Sequence, residues 1–319
     1  MDISEPILVT GAKGFIGANL VRKLLEKHDN IHVILRNDSG LWRLADILDK
    51  VQVHYLDLLD RQSVFSLVEQ IKPKTIFHLA AYGAYPFQKE VDRIMAVNLH
   101  GTVILLDACT ESGFSIFINT GSSSEYGFKQ EPMKESDILE PNSYYAVFKA
   151  AATHYCQYEA QSKKLPIITL RPFSVYGPYE EPTRLVPVLI TKLFKGQVPP
   201  LASPEIARDY IYVEDMVDAY LKVAVRPDLG GQIFNVGSGI QTSLKQIVDT
   251  AVRLNQAQVE LEWGTMENRI WDQNVWQADI GKIKKMTDWQ PRFNLEDGLR
   301  QSIGWFKENI HLYKKNEED

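Results

Sequence analysis

The sequence predicts an α/β protein, a doubly wound parallel sheet followed by a smaller C-terminal α/β unit. Three observations carry this. Short apolar runs of strand character alternate with helical patterns from Ile7 to Thr120. The first run breaks into a glycine-rich turn that opens a helix. A length of 319 residues at 45% hydrophobic content allows a large core in one big domain or two modest ones.

Ile7, Leu8 and Val9 are too apolar for a surface loop and suit a buried parallel strand. The turn after them reads Thr10-Gly11-Ala12-Lys13-Gly14-Phe15-Ile16-Gly17, with helical spacing resuming from Asn19. Gly11 permits the tight turn, Gly14 lets an anion approach the backbone, and Gly17 lets helix and strand pack closely. The open helix N-terminus then presents unpaired N–H groups and the positive end of its dipole. That is a pyrophosphate cradle in a Rossmann-type sheet, to which Lys13, Phe15 and Ile16 also belong. The alternative is a plain strand-to-helix turn. The glycine spacing is G-x-x-G-x-x-G, not the commoner G-x-G-x-x-G.

The second strand, residues 31–35, closes on Arg36. At this tip an acidic residue would bind the ribose 2′-hydroxyl of NAD, whereas an arginine accommodates the 2′-phosphate of NADP. Arg36, with Lys13 in reach of the same phosphate, therefore predicts NADP(H) in preference to NAD(H). The alternative is that both are solvated surface cations. A third strand, residues 51–56, runs into Asp57 and Leu58, placed to hold an adenine. A fourth, residues 75–81, ends in Leu79, Ala80 and Ala81, where small side chains let backbone approach a flat ligand. His78 within it reads as a hydrogen-bonded core histidine rather than a catalytic one. A helix through Cys109 leads to the fifth strand, residues 115–120.

The chemistry lies beyond that strand, where ligands bind in open α/β sheets. Gly121-Ser122-Ser123-Ser124-Glu125-Tyr126-Gly127 sits there, and the stretch from Pro141 to Lys149 opens a long helix. Tyr145 and Lys149 are four residues apart and share one helical face. An ammonium near a phenol favours the phenolate and lowers its pKa toward neutrality. With a serine hydroxyl to hold a substrate oxygen, the pair makes a proton-transfer set for interconverting alcohol and ketone beside a nicotinamide. Tyr144 has Phe148 rather than lysine at the matching position.

The net charge of −6 argues against a nucleic-acid partner, which needs clustered Lys and Arg. Two cysteines are too few for a disulfide scaffold. Met1 to Pro6 lack signal-peptide character, and no apolar run approaches a membrane span. A soluble cytoplasmic protein without a membrane partner is the expectation, and no metal-ligand cluster is evident.

Four ordered motifs, the glycine loop, the Tyr145/Lys149 pair, Arg171-Pro172-Phe173-Ser174-Val175-Tyr176-Gly177-Pro178 and Arg208-Asp209-Tyr210-Ile211-Tyr212-Val213, make the chain resemble the extended short-chain dehydrogenase/reductases. The resemblance is to their nucleotide-sugar epimerase, dehydratase and ketoreductase branch. It implies that Tyr145 is the acid/base, that Lys149 holds both Tyr145 and the nicotinamide ribose, and that Ser122 is the third catalytic member. It also implies that Arg208 and Arg269 clamp a substrate diphosphate, that Ser123 and Ser174 lie against the substrate, and that the protein is a homodimer. Family dehydratases carry an Asp-Glu pair where this chain has Ser123 and Ser124, so dehydration is not expected. Ser174 replaces a frequent asparagine, and Glu125 replaces an apolar residue with no evident role.

The division expected is residues 1–177, with 208–237 returning to them, as the dinucleotide-binding domain, and residues 178–207 and 238–319 as the substrate-binding domain. The reading is an NADPH-dependent reductase of a 4-keto (6-deoxy) nucleotide-diphosphate hexose. The alternatives are a nucleotide-sugar 4-epimerase with tightly bound cofactor and a non-catalytic nucleotide sensor.

Overall fold

The computed structural model describes residues 2–36, 40–85, 87–268 and 272–314. The chain begins β1 (Ile7–Thr10), α1 (Phe15–Leu24), β2 (Ile31–Leu35), β3 (Gln52–Tyr55), α2 (Arg61–Ile71) and β4 (Thr75–His78). A continuous helical stretch follows as α3 (Val91–Met95), a π-helical turn (Ala96–His100) and α4 (Gly101–Ser112), leading to β5 (Ile116–Thr120). After α5 (Tyr144–Lys163) come β6 (Ile167–Pro172) and β7 (Ser174–Tyr176). The remainder is α6 (Leu185–Leu193), β8 (Ala207–Tyr212), α7 (Val213–Ala224), β9 (Ile233–Val236), β10 (Gln241–Ser243), α8 (Leu244–Asn255), α9 (Gly281–Thr287), α10 (Leu295–Asn309) and α11 (His311–Lys314).

Seven strands form one parallel sheet in the order β3-β2-β1-β4-β5-β6-β9. Both faces are covered, which is why its strands read as continuous apolar runs. Leu8, Ile34, Ile76 and Phe117 pack on one face with Val64 and Leu67 of α2 and Leu105 of α4. Val9, Val33, Phe77 and Ile118 pack on the other with Ala18 and Leu20 of α1 and Val217 and Tyr220 of α7. β3 is one of the two edge strands and exposes Gln52 and Tyr55. The Rossmann-type sheet expected from the sequence is the observed one.

The order reverses at β1, which pairs with β2 on one side and β4 on the other, so that Thr10 lies opposite both Ile34 and His78. This opens a crevice beyond the strand ends.

A second sheet of three short strands runs β10-β8-β7, with β8 parallel to β7 and antiparallel to β10. The core on the α1/α7 face continues into this region through Tyr176, Tyr212, Ile247, Trp289 and Phe306. Trp276 and Trp289 are buried, and Trp289 Nε1 donates to the Asp215 carbonyl at 3.1 Å. Trp305 packs against Tyr179, whereas Trp271 lies outside the described residues.

Among the described residues no helix is long and apolar enough to cross a membrane, and no group of three or more His, Cys, Asp or Glu is arranged to hold a metal ion.

Candidate active site

The glycine turn between β1 and α1 shows what its sequence anticipates. Gly11 has φ of +71°, and a Cβ there would lie 2.5 Å from the Leu79 carbonyl carbon and 2.6 Å from the Ala80 nitrogen. The end of β4 therefore closes on the turn only because position 11 is glycine. At Gly17 a Cβ would meet the Gly11 carbonyl oxygen at 2.2 Å. Gly14 is the N-cap of α1 in extended conformation, with no side-chain cap. The first-turn N–H groups of a helix left this way are free for an anion. A small-residue floor, an uncapped helix end and a crevice at the strand reversal fit a dinucleotide pyrophosphate.

Around this cradle, Lys13, Phe15 and Ile16 are half-buried, Leu58 is buried near Gly101, and Leu79 and Ala80 are half-buried. Asp57 is exposed, its Oδ1 accepting from the Leu59 N–H at 2.9 Å, and Ala81 is exposed. Arg36 directly follows β2 and is half-buried; both it and Lys13 are engaged in interactions.

His78 is the core histidine expected. Its Nδ1 lies 2.7 Å from Thr10 Oγ1 and its Nε2 2.9 Å from Thr102 Oγ1. Because Thr102 donates its hydroxyl proton to the Asn98 carbonyl, Nε2 is the protonated ring nitrogen and Nδ1 accepts from Thr10. Burial pushes the imidazole down to about 3, so it stays neutral.

Ser122 follows β5 and caps a 3₁₀ turn, Ser123–Tyr126. Its Oγ accepts from the Ser124 N–H at 3.1 Å, which occupies one lone pair and leaves the hydroxyl proton to point elsewhere. Tyr145 is near enough for this hydroxyl to act on its phenol, in the direction that favours ionisation. Tyr145 lies in the first turn of α5, whose N-cap Ser143 accepts from the Ala146 N–H at 3.2 Å. Tyr144 is 62% exposed and faces away, which removes it as an alternative phenol.

One expectation is corrected. Lys149 is buried, yet its Nζ donates to the Thr120 backbone carbonyl and does not draw Tyr145 toward neutrality. Burial instead pushes the Tyr145 phenol up to about 12, with Glu125 and Tyr85 adding to the rise while Ser122 and Arg184 oppose it. The short spacing of two side chains on one helical face did not reveal that a strand-end carbonyl would compete for the ammonium.

In the small sheet, Ser174 on β7 pairs with Tyr210 on β8. Arg208 Nη2 donates to Asp272 Oδ1 at 3.0 Å, its Nη1 to the Ala207 carbonyl at 2.9 Å, and its guanidinium lies over Trp276. The structure thus holds Arg208 in an ion pair. Arg269 lies outside the described residues. Ser123 is buried in the 3₁₀ turn.

Sequence reasoning missed several residues here. Tyr85 and Arg184 act on the Tyr145 phenol from two other segments. Arg43, buried after β2, donates to the Lys13 carbonyl at 3.5 Å, the Tyr179 carbonyl at 2.7 Å and Glu181 Oε2 at 2.9 Å. It joins the glycine turn to the segment before α6. Glu180 is buried, and its Oε2 has no hydrogen-bond partner among the described residues. No local pattern flags these residues, because their partners lie far away in the chain.

A family model described as the NAD dependent epimerase/dehydratase family matches residues 7–237. The chain belongs to that family. It is an enzyme family of the extended short-chain dehydrogenase/reductase type, whose members act on nucleotide sugars. A UDP-glucose 4-epimerase of Mycolicibacterium smegmatis is 31% identical over 314 residues, covering 94% of this chain and 98% of the relative. A dTDP-D-glucose 4,6-dehydratase of Bos taurus is 26% identical over 336 residues, covering 99% and 92% respectively. Among solved structures, a UDP-glucuronic acid 4-epimerase of Bacillus cereus in complex with UDP-glucuronic acid and NAD superposes with a TM-score of 0.83 at 25% identity, covering 95% of this chain and 99% of that one.

Proposed function

We propose that the chain is an NADPH-dependent reductase of a 4-keto (6-deoxy) nucleotide-diphosphate hexose, with Tyr145 as proton donor. The observation that carries this is a site that sets the Ser122 hydroxyl beside a Tyr145 phenol kept protonated by burial and has no carboxylate at the two dehydratase positions. Ser123 and Ser124 supply no acid or base near neutral pH. Glu125, the nearest carboxylate in sequence, is fully buried in an ion pair with Arg171 and is closed off from substrate.

Gly11, Gly14 and Gly17, with Lys13, Phe15, Ile16, Asp57, Leu58, Leu79, Ala80 and Ala81, would hold the cofactor. Bound there, NADPH supplies the hydride for the carbonyl carbon. Ser122 orients the carbonyl oxygen with its hydroxyl proton, and Tyr145 gives its phenolic proton to that oxygen as charge develops. Lys149, held by the Thr120 carbonyl, would donate to a ribose hydroxyl of the cofactor. Arg208 and Arg269 would bind the diphosphate, the guanidinium geometry suiting phosphate oxygens. Ser123 and Ser174 add hydrogen bonds to substrate. The preference for NADP(H) over NAD(H) rests on Arg36 at the tip of β2, aided by Lys13; the Bacillus cereus relative carries NAD.

The proposal includes a homodimer. α5 leaves Tyr144, Val147 and Tyr158 exposed at positions that fall on one helical side, a face suited to a second copy. It also includes a soluble cytoplasmic enzyme with neither nucleic-acid nor membrane partners, in keeping with its acidic charge, and the division into cofactor and substrate domains given above.

A second reading, nucleotide-sugar 4-epimerisation, is favoured by the relative that shares 31% identity. The deciding experiment incubates the protein with a 4-keto nucleotide sugar and NADPH and follows absorbance and products. Stoichiometric NADPH consumption with one alcohol product supports reduction. Purified protein that retains NAD and interconverts two C4 epimers without added cofactor overturns it.

A further inference from the structure

Glu125 is the residue for which the sequence offers no role, and it sits at the centre of the most densely bonded buried polar group near the site. Its side chain is fully buried. Oε1 accepts from the Ser122 backbone N–H at 2.8 Å and from Thr153 Oγ1 at 3.0 Å, and Oε2 accepts from Arg171 Nε at 2.8 Å. Arg171 Nη1 donates onward to the Tyr126 hydroxyl at 2.9 Å, which donates to Asn235 Oδ1 at 2.7 Å. One carboxylate thereby joins the cap of the 3₁₀ turn, α5, β6 and, through Tyr126, β9.

We infer that Glu125 is a positioning residue that sets the Ser122 hydroxyl in register with Tyr145 and contributes negative charge to the proton-transfer site. The inference rests on the reading of Ser122 and Tyr145 as the proton-transfer pair. Three observations support it. The carboxylate fixes the backbone of Ser122 itself, so a shift of Glu125 moves the hydroxyl that acts on Tyr145. Thr153 lies one turn beyond Lys149 on α5, so the same oxygen that holds Ser122 also holds the helix carrying Tyr145 and Lys149. The fit around it is tight, because a Cβ at Gly121 would lie 2.6 Å from Glu125 Oε1.

The charge has a second consequence. A buried carboxylate raises the pKa of a neighbouring phenol and of a neighbouring ammonium. Glu125 acts in this direction on both Tyr145 and Lys149. The other groups that face Tyr145 are Ser122, Tyr85, which also opposes ionisation, Arg184, which favours it, and Tyr220 of α7. Those facing Lys149 are His78 and Cys156. Among the described residues named here Glu125 is the carboxylate, so it favours the protonated Tyr145 that a proton donor requires.

The test uses the full chain with Glu125→Gln, and with Glu125→Val/Arg171→Met, which removes both charges together so that no buried charge is left unpaired. Turnover per cofactor-binding site, the KM for the nucleotide sugar, and NADPH affinity are measured, together with the titration of the Tyr145 phenol. That titration is read by NMR on tyrosine labelled with ¹³C at Cζ and assigned by its loss in Tyr145→Phe. Expected is a kcat lower by about 100-fold, the scale of a small misplacement of reacting groups, with KM and NADPH affinity unchanged and the Tyr145 titration moved to lower pH. Folded, cofactor-binding variants with wild-type kcat and an unmoved Tyr145 titration overturn the inference. If the wild-type protein neither reduces a 4-keto nucleotide sugar nor epimerises one, the functional reading fails, and the titration alone decides the role of Glu125.

Discussion

Lys149 Nζ donates to the Thr120 backbone carbonyl at the end of β5, while Tyr145, one turn earlier on the same helix, has its phenol under the influence of Ser122. The two side chains that share a helical face thus face different groups, and burial holds the phenol at about 12. A phenol so placed remains a proton donor throughout the neutral range. Tyr145→Phe should lower kcat by about 100- to 10,000-fold, the usual scale for a lost general acid. NADPH binding, followed by nucleotide fluorescence, should remain. Normal turnover in this variant would remove Tyr145 from the mechanism.

Under the proposed function, the choice of NADP(H) over NAD(H) rests on Arg36. Arg36→Ala should reduce the ratio of kcat/KM for NADPH to that for NADH by roughly 10- to 100-fold, corresponding to the loss of one charged hydrogen-bonding partner of a phosphate. The measurement is steady-state kinetics with each cofactor at one substrate concentration. An unchanged ratio refutes the assignment.

Gly17 has no room for a side chain. Gly17→Val places atoms against the Gly11 carbonyl, which a Cβ would already approach to 2.2 Å. Overpacking of this kind typically costs about 1–3 kcal/mol. Thermal denaturation should show that loss, and calorimetry should show NADPH affinity reduced further than the stability change alone explains, because the turn itself is displaced.

Glu180 links pH to stability. Burial raises its carboxyl from 4.5 to about 8, against the pull of Arg184 and a hydrogen bond from the Gly177 backbone. The folded state therefore binds this proton more tightly than the unfolded chain does. The contribution to stability is complete below the unfolded pKa and is lost as pH rises through the folded one. Relative to Glu180→Gln, the wild-type protein should lose stability between pH 4.5 and about pH 8, by an amount on the order of a few kcal/mol. Urea denaturation at several pH values checks this; parallel curves for the two proteins contradict it.

What the sequence disclosed and what it withheld divide along a physical line. β1, the glycine turn and α1 were legible because period, composition and turn chemistry agree within a few neighbouring residues. β4 and β5 were legible for the same reason, and so was the structural character of His78. The small sheet was not, since β7 and β10 are three-residue strands whose pairing with β8 joins distant segments. The role of Glu125 was hidden likewise, its partners Thr153 and Arg171 being 28 and 46 positions away. For Arg208 the sequence leaves open a diphosphate clamp or a structural ion pair with one of its acidic residues, and only the folded chain shows Asp272 beside it. The π-helical turn at Ala96–His100 has no marker in its composition; it carries Asn98, whose side chain bonds to both the N–H and the carbonyl of Tyr82.

Arg43 ties the Lys13 carbonyl to Tyr179 and Glu181, and its neighbour Trp42 packs against both Tyr179 and Tyr313. The segment after β2 is therefore a shared wall, with the dinucleotide cradle on one side and the approach to α6 on the other. Retuning such an enzyme for another coenzyme is not a modular operation. A loop transplanted here from a relative would carry its own shape into the wall, and the segment before α6 would shift along with the glycine turn.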